Sequence, residues 1–135
     1  MAETRSTVSD EVTVDDVLAG SGTVRAALET IGGVWPMMVL IALDTEPRRY
    51  GELRRTVTGI NDRMLSQTLR RFVRDGLADR GVMPTRRSCV QYTLTDLGAE
   101  VRAAVADLTA VIIRLAPRVE QARERFDRLS GEESL

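Results

Sequence analysis

Gly59-Ile60-Asn61-Asp62-Arg63-Met64-Leu65-Ser66-Gln67-Thr68-Leu69-Arg70-Arg71-Phe72-Val73-Arg74-Asp75-Gly76 carries both a start and a stop for one short helix. Asn61 offers a side-chain oxygen to an orphan backbone N–H at the start. Gly76 tolerates the left-handed turn that ends a helix. With residues about 100° apart around the axis, Leu65, Leu69, Phe72 and Val73 gather on one face. Arg63, Gln67, Arg70, Arg71 and Arg74 gather on the opposite one. The first face fits a protein core; the second fits a polyanion.

Working outward, residues 49–57 read as another short helix with Tyr50, Leu53 and Val57 on one side. The turn Thr58-Gly59-Ile60 joins the two, and two short helices across a tight glycine turn form a helix-turn-helix. Further upstream, Pro36 suits the first position of a helix running through Leu43, where its missing N–H costs nothing. That helix is apolar on all sides and is expected to be the central buried one. Thr23 is expected to cap the helix before it, which Gly32-Gly33 stops. A short helix is expected to start at Asp15 and end before Gly20-Ser21-Gly22.

Downstream, residues 77–83 and 89–94 read as two strands of a hairpin whose tip carries Arg86 and Arg87. Thr95 caps a long last helix in which Leu97, Val101, Val105, Leu108, Val111, Ile112 and Leu115 recur at helical spacing. Pro117 is expected to kink or break that helix. The fold class is thus mainly α with a small β-hairpin, a winged helix-turn-helix. Residues 1–14 read as a mobile acidic tail, 15–116 as the winged domain including the long last helix, and 117–135 as a helical extension and tail.

The 135 residues suit one domain with a real core. The single cysteine, Cys89, excludes an internal disulfide and suits a reducing cytoplasm. Histidine is absent, which excludes a histidine triad, a histidine metal site and a histidine proton switch. Neither an enzyme, a metal site nor a cofactor is expected. The longest apolar run, residues 34–43, is too short to cross a bilayer, and the N-terminus lacks the pattern of a signal peptide. A net charge of −1 conceals an uneven layout. Residues 48–87 hold eleven arginines against Glu52, Asp62, Asp75 and Asp79, whereas residues 1–24 hold five acids against Arg5. The local map, unlike the total, fits a nucleic-acid binder.

The chain resembles the HxlR-type bacterial transcriptional regulators, relatives of the MarR-like winged-helix group. The resemblance rests on Ile31-Gly32-Gly33-Val34-Trp35, Arg49-Tyr50-Gly51-Glu52-Leu53-Arg54, Gly59-Ile60-Asn61 through Leu69-Arg70, Asp75-Gly76-Leu77, and Val90-Gln91-Tyr92-Thr93-Leu94-Thr95 with Gly98. It implies a cytoplasmic homodimer, joined through N- and C-terminal dimerisation helices, that binds double-stranded DNA at an operator. Many members carry a redox-sensing cysteine where this chain has Gly22. The usual basic residue before the tryptophan is here Val34, and a common wing arginine is replaced by Cys89.

A helix fits the major groove, and the N-terminal half of the second helix faces base edges. Arg63, Ser66, Gln67 and Arg70 are therefore expected at or near bases, with Arg71 on the same DNA-facing side. Arg71 and Arg74 have the alternative of pairing with acids such as Asp75. Asn61 is expected as the cap beside a phosphate, Arg49 over the backbone, and Arg86 and Arg87 at a phosphate or the minor groove. A dimer would present two such helices about 34 Å apart to an inverted repeat. Trp35 and Met38 either line a pocket for a small-molecule effector or fill the core. Cys89 is either a redox switch or a small buried hydrophobe. The expected function is a dimeric repressor answering to a small ligand or a redox signal; the competing reading is a winged helix that binds protein instead of DNA.

Overall fold

The computed structural model describes residues 18, 22–82 and 89–134. The acidic tail and the hairpin tip with Arg86 and Arg87 lie outside the described residues, as does the short helix from Asp15 except for Leu18, which is helical. The elements run α1 (Gly22–Ile31), α2 (Val34–Ala42), β1 (Arg48–Arg49), α3 (Tyr50–Thr56), α4 (Asp62–Arg74), β2 (Ala78–Val82), β3 (Val90–Leu94) and α5 (Asp96–Ser134). The three strands form one antiparallel sheet in the order β1-β3-β2. The expected hairpin is present, and β1 adds a third strand to it. Arg48 stands opposite Tyr92, and Arg80 stands opposite Tyr92 from the other side.

The glycines at 32 and 33 end α1, and the chain bends by 74° into α2. Thr23 lies inside α1 rather than at its cap. Pro36 is the third residue of α2, not the first. The first backbone bond of that helix is from Met37 N–H to the Gly33 carbonyl, so Pro36 still occupies a position whose N–H has no acceptor within the helix. The helix is buried on one side only: Val39 and Leu40 are in the core, but Val34 is 67% exposed and Met38 also faces outward. The expectation of a helix buried all round is corrected on this point.

The core is built from Val39, Leu40 and Leu43 at and after α2, Leu53 of α3, Leu65, Leu69 and Phe72 of α4, and Tyr92 and Leu94 of β3. Val105 closes it from α5. Arg102 of α5 donates from Nε and Nη2 to the Ile41 carbonyl, at 3.2 and 3.0 Å. A cation thus satisfies a carbonyl at the C-terminal end of α2, where the helix dipole favours it. At the following corner the Asp44 carbonyl accepts from Leu94 N–H, and the Asp44 carboxylate accepts from Thr45 N–H at 2.7 Å and from Arg48 at 3.2 Å. The Thr45 N–H, and after it the Arg48 guanidinium, hold the Asp44 carboxyl below its ordinary value.

α5 has 39 residues, a length of about 58 Å at 1.5 Å per residue. It is not broken at Pro117, so no separate helix begins there. Pro117 removes one rung of hydrogen bonding, and the carbonyl it leaves belongs to Ile113. Ile113 is exposed, so solvent can take that carbonyl. Among the described residues, no single helix is long and apolar enough to cross a membrane.

Candidate nucleic-acid interface

The turn between α3 and α4 is held from both sides. Val57 and Ile60 plug it into the core. Gly59 adopts φ +92°, and a Cβ there would stand 3.3 Å from the Trp35 ring. Trp35 therefore packs over this turn, half-buried against the core. The Asn61 side chain accepts from Met64 N–H at 2.8 Å, the cap expected of it. At the other end Gly76 has φ +78°. Its N–H donates to the Val73 carbonyl and Leu77 N–H donates to the Phe72 carbonyl, the two bonds of a Schellman stop.

Between these ends α4 buries Leu65, Leu69 and Phe72 completely, with Thr68 beside them. Val73 is 37% exposed and does not belong to the core face, contrary to the periodicity. Arg63, Ser66, Gln67, Arg70, Arg71 and Arg74 are all exposed along the outer side of α4. Among the described residues the ion pairs are Arg48–Asp44 and Arg54–Asp62. Among the described residues, no carboxylate, Asp75 included, pairs with an arginine of α4.

The start of α4 is tied to α3 by side chains that the sequence reading did not single out. The Tyr50 hydroxyl lies 3.2 Å from both the carbonyl and the carboxylate of Asp62, and 3.1 Å from Ser66 Oγ. Arg54 Nε donates to the same Asp62 carboxylate at 2.9 Å. Asp62 is thereby neutralised where an uncompensated acid would repel a phosphate. Arg49 is exposed just before α3, and its N–H donates to the Glu52 side chain at 2.9 Å. Glu52 thus serves the backbone rather than pairing with Arg55.

Arg80 of β2 also reaches the region. It lines a cleft of about 280 Å³ with Ser66, Arg70, Val73 and Tyr92. Strand alternation carried a signal for it, since Ala78 and Arg80 share one face of the sheet. Met38 lines a groove of about 320 Å³ with Met37, Ile41, Val57 and Thr109. Trp35 is not part of that lining, so the two candidate effector residues are not brought together there. Cys89 is half-buried at the foot of β3.

A profile of HxlR-like helix-turn-helix proteins matches residues 30–120. The chain is 33% identical over 100 residues to the uncharacterized HTH-type transcriptional regulator YtfH of Escherichia coli (strain K12), covering 74% of this chain and 79% of that one. Among solved structures it is similar to the YtfH regulator from Salmonella typhimurium, with a TM-score of 0.69 at 34% identity over 74% of this chain and 89% of the other. It is also similar to the redox regulator HypR in its reduced form, with a TM-score of 0.65 at 27% identity over 74% and 99%.

Proposed function

The chain belongs to the HxlR-like helix-turn-helix family, and from that premise we propose that it is a sequence-specific, dimeric DNA-binding repressor working in the cytoplasm. The observation that carries this reading is the outer side of α4: a capped helix presents Arg63, Ser66, Gln67, Arg70 and Arg71 to solvent, and among the described residues no carboxylate pairs with any of its arginines. In the major groove Arg63 or Arg70 would fork onto guanine and Gln67 would pair with adenine. Arg49, the helix start at Asn61, and Arg86 and Arg87 of the wing would hold the backbone. The competing reading, a winged helix that binds only protein, gives this basic surface no task, and the relatives are regulators with a helix-turn-helix.

A homodimer is supported by what the single chain leaves uncovered. α1 buries none of its side chains. On α5, Leu108, Ile112, Leu115, Val119, Ala122, Phe126 and Leu129 follow each other at alternating intervals of four and three. Phe126 is 68% exposed, and Leu108, Ile112, Val119 and Leu129 are also open to solvent. An apolar seam of this length calls for a partner. Two copies joined through α1 and α5 would place their α4 helices on successive turns of an inverted repeat.

The signal in this reading is a small apolar molecule in the groove between α2 and α5 beside Met38. An occupant there changes DNA affinity only if it favours one spacing of the two α4 helices over another. Redox sensing through Cys89 is a second reading, favoured by its place at the foot of the wing and by the likeness to HypR. Titration of fluorescent duplexes at several salt concentrations tests the core of the proposal. Affinity that falls steeply with salt and prefers one selected inverted repeat supports it; equal, salt-independent binding of every duplex, or none at all, refutes it. An unchanged operator affinity after thiol oxidation removes the second reading.

A further inference from the structure

We propose that Arg80 and Tyr92 form a seat for one DNA phosphate, at the strand that borders the groove entered by α4; this rests on the DNA-binding reading above. The cleft between α4 and the sheet is lined by Ser66, Arg70 and Val73 from α4 and by Arg80 and Tyr92 from β2 and β3. Two arginines line it, and among the described residues no carboxylate does. Among the described residues neither arginine side chain has an ion pair or hydrogen bond. Like charges left together in this way favour an anion between them.

The second observation is the tyrosine. Tyr92 is 8% exposed as a residue, and its hydroxyl, which is open to solvent, has no hydrogen-bond partner among the described residues. Tyr92 lines the cleft, so a phosphate oxygen there would accept from it. Its Cα partner across the sheet is Arg80, so both groups come from one rung of the β2–β3 ladder and hold a fixed spacing.

The position suits the backbone and not the bases. A recognition helix fills the major groove, so the sugar-phosphate strand on the sheet side must pass between that helix and the wing. The cleft lies along that path. Its contact carries no sequence information; it fixes how far α4 enters the groove. Arg80 is exposed, and Tyr92→Phe keeps the ring in the core, so both variants are expected to fold.

The test uses the duplex that the wild-type protein selects from a randomised pool, with each phosphate replaced in turn by an uncharged methylphosphonate. The wild type should lose affinity at one phosphate per half-site beside the α4 groove. Arg80→Gln should bind the unmodified duplex about tenfold more weakly, with a salt slope smaller by about one, and should be insensitive at that phosphate alone. Tyr92→Phe should show the same local insensitivity with a smaller loss. Both variants should select the same sequence as the wild type, whereas Arg70→Ala should not. A methylphosphonate profile for Arg80→Gln identical to the wild type at every phosphate overturns the seat while leaving DNA binding intact. A wild type that selects no duplex overturns both.

Discussion

Tyr50 fixes the hydrogen-bonding role left to Ser66. A carboxylate only accepts, so the Tyr50 proton goes to Asp62 and the Tyr50 oxygen accepts from Ser66. That leaves Ser66 only acceptor capacity for a group outside the chain, which in the proposed complex is a base edge. Tyr50→Phe should keep the fold and weaken discrimination at the base pair beside Ser66 by about 1 kcal/mol, read by competition between operator variants; an unchanged preference would show that Ser66 does not read a base. Arg70→Ala should cost about 1–3 kcal/mol of discrimination at a single base pair. Asp44 answers to acid. Its carboxyl lies below the ordinary value of 3.8 in the folded chain. Its contribution to stability is therefore complete above that value and is lost as pH falls through the lowered one. Asp44→Asn should be less stable than the wild type at neutral pH, and the gap should close on acid titration; a gap that persists below the folded value would contradict this.

The ends of α4 and the start of α5 are one construction. Thr95 Oγ1 donates to the Gly76 carbonyl at 2.6 Å and accepts from Gly98 N–H at 3.0 Å. A Cβ on Gly98 would stand 1.9 Å from the Leu77 carbonyl oxygen. That neighbour is backbone and cannot step aside, so Gly98→Ala should destabilise the chain by about 3 kcal/mol, measured by denaturant unfolding. A loss below a few tenths would mean that α5 docks differently. Three of the helix ends were legible from residue type, Asn61 and Thr95 through their side-chain oxygens and Gly76 through its positive φ, whereas Thr23 was not the cap expected of it. Other features depended on neighbours far along the chain. β1 is two arginines with no alternation to betray a strand, and only pairing with β3 makes it one. Val73 has the right period for the core but lies where α4 overhangs the sheet, and Thr68 fills the inner side instead. Pro117 looked like a break because its carbonyl partner's exposure is invisible in one dimension. For the candidate interface, the arginine stripe was readable and strand alternation pointed to the face of Arg80, whereas Tyr50 and Arg54 join the stripe only through contacts between elements.

The single chain leaves exposed arginines along α4 and exposed apolar residues along α5. α2 looked fully buried in sequence because its exposed Val34 and Met38 are the same residue types as those of a core. Leu108→Glu together with Ile112→Glu should give a monomer by sedimentation and abolish tight operator binding, while the isolated fold survives because both positions are exposed in the single chain. A dimer that persists would place the interface elsewhere. The most direct measurement is the binding stoichiometry and salt dependence of the wild-type protein on its selected duplex. Two chains per duplex, on half-sites one helical turn apart in inverted orientation, are expected, with log affinity falling linearly against log salt. A single chain per duplex, or an affinity indifferent to salt, would contradict a paired set of arginine-bearing helices entering DNA.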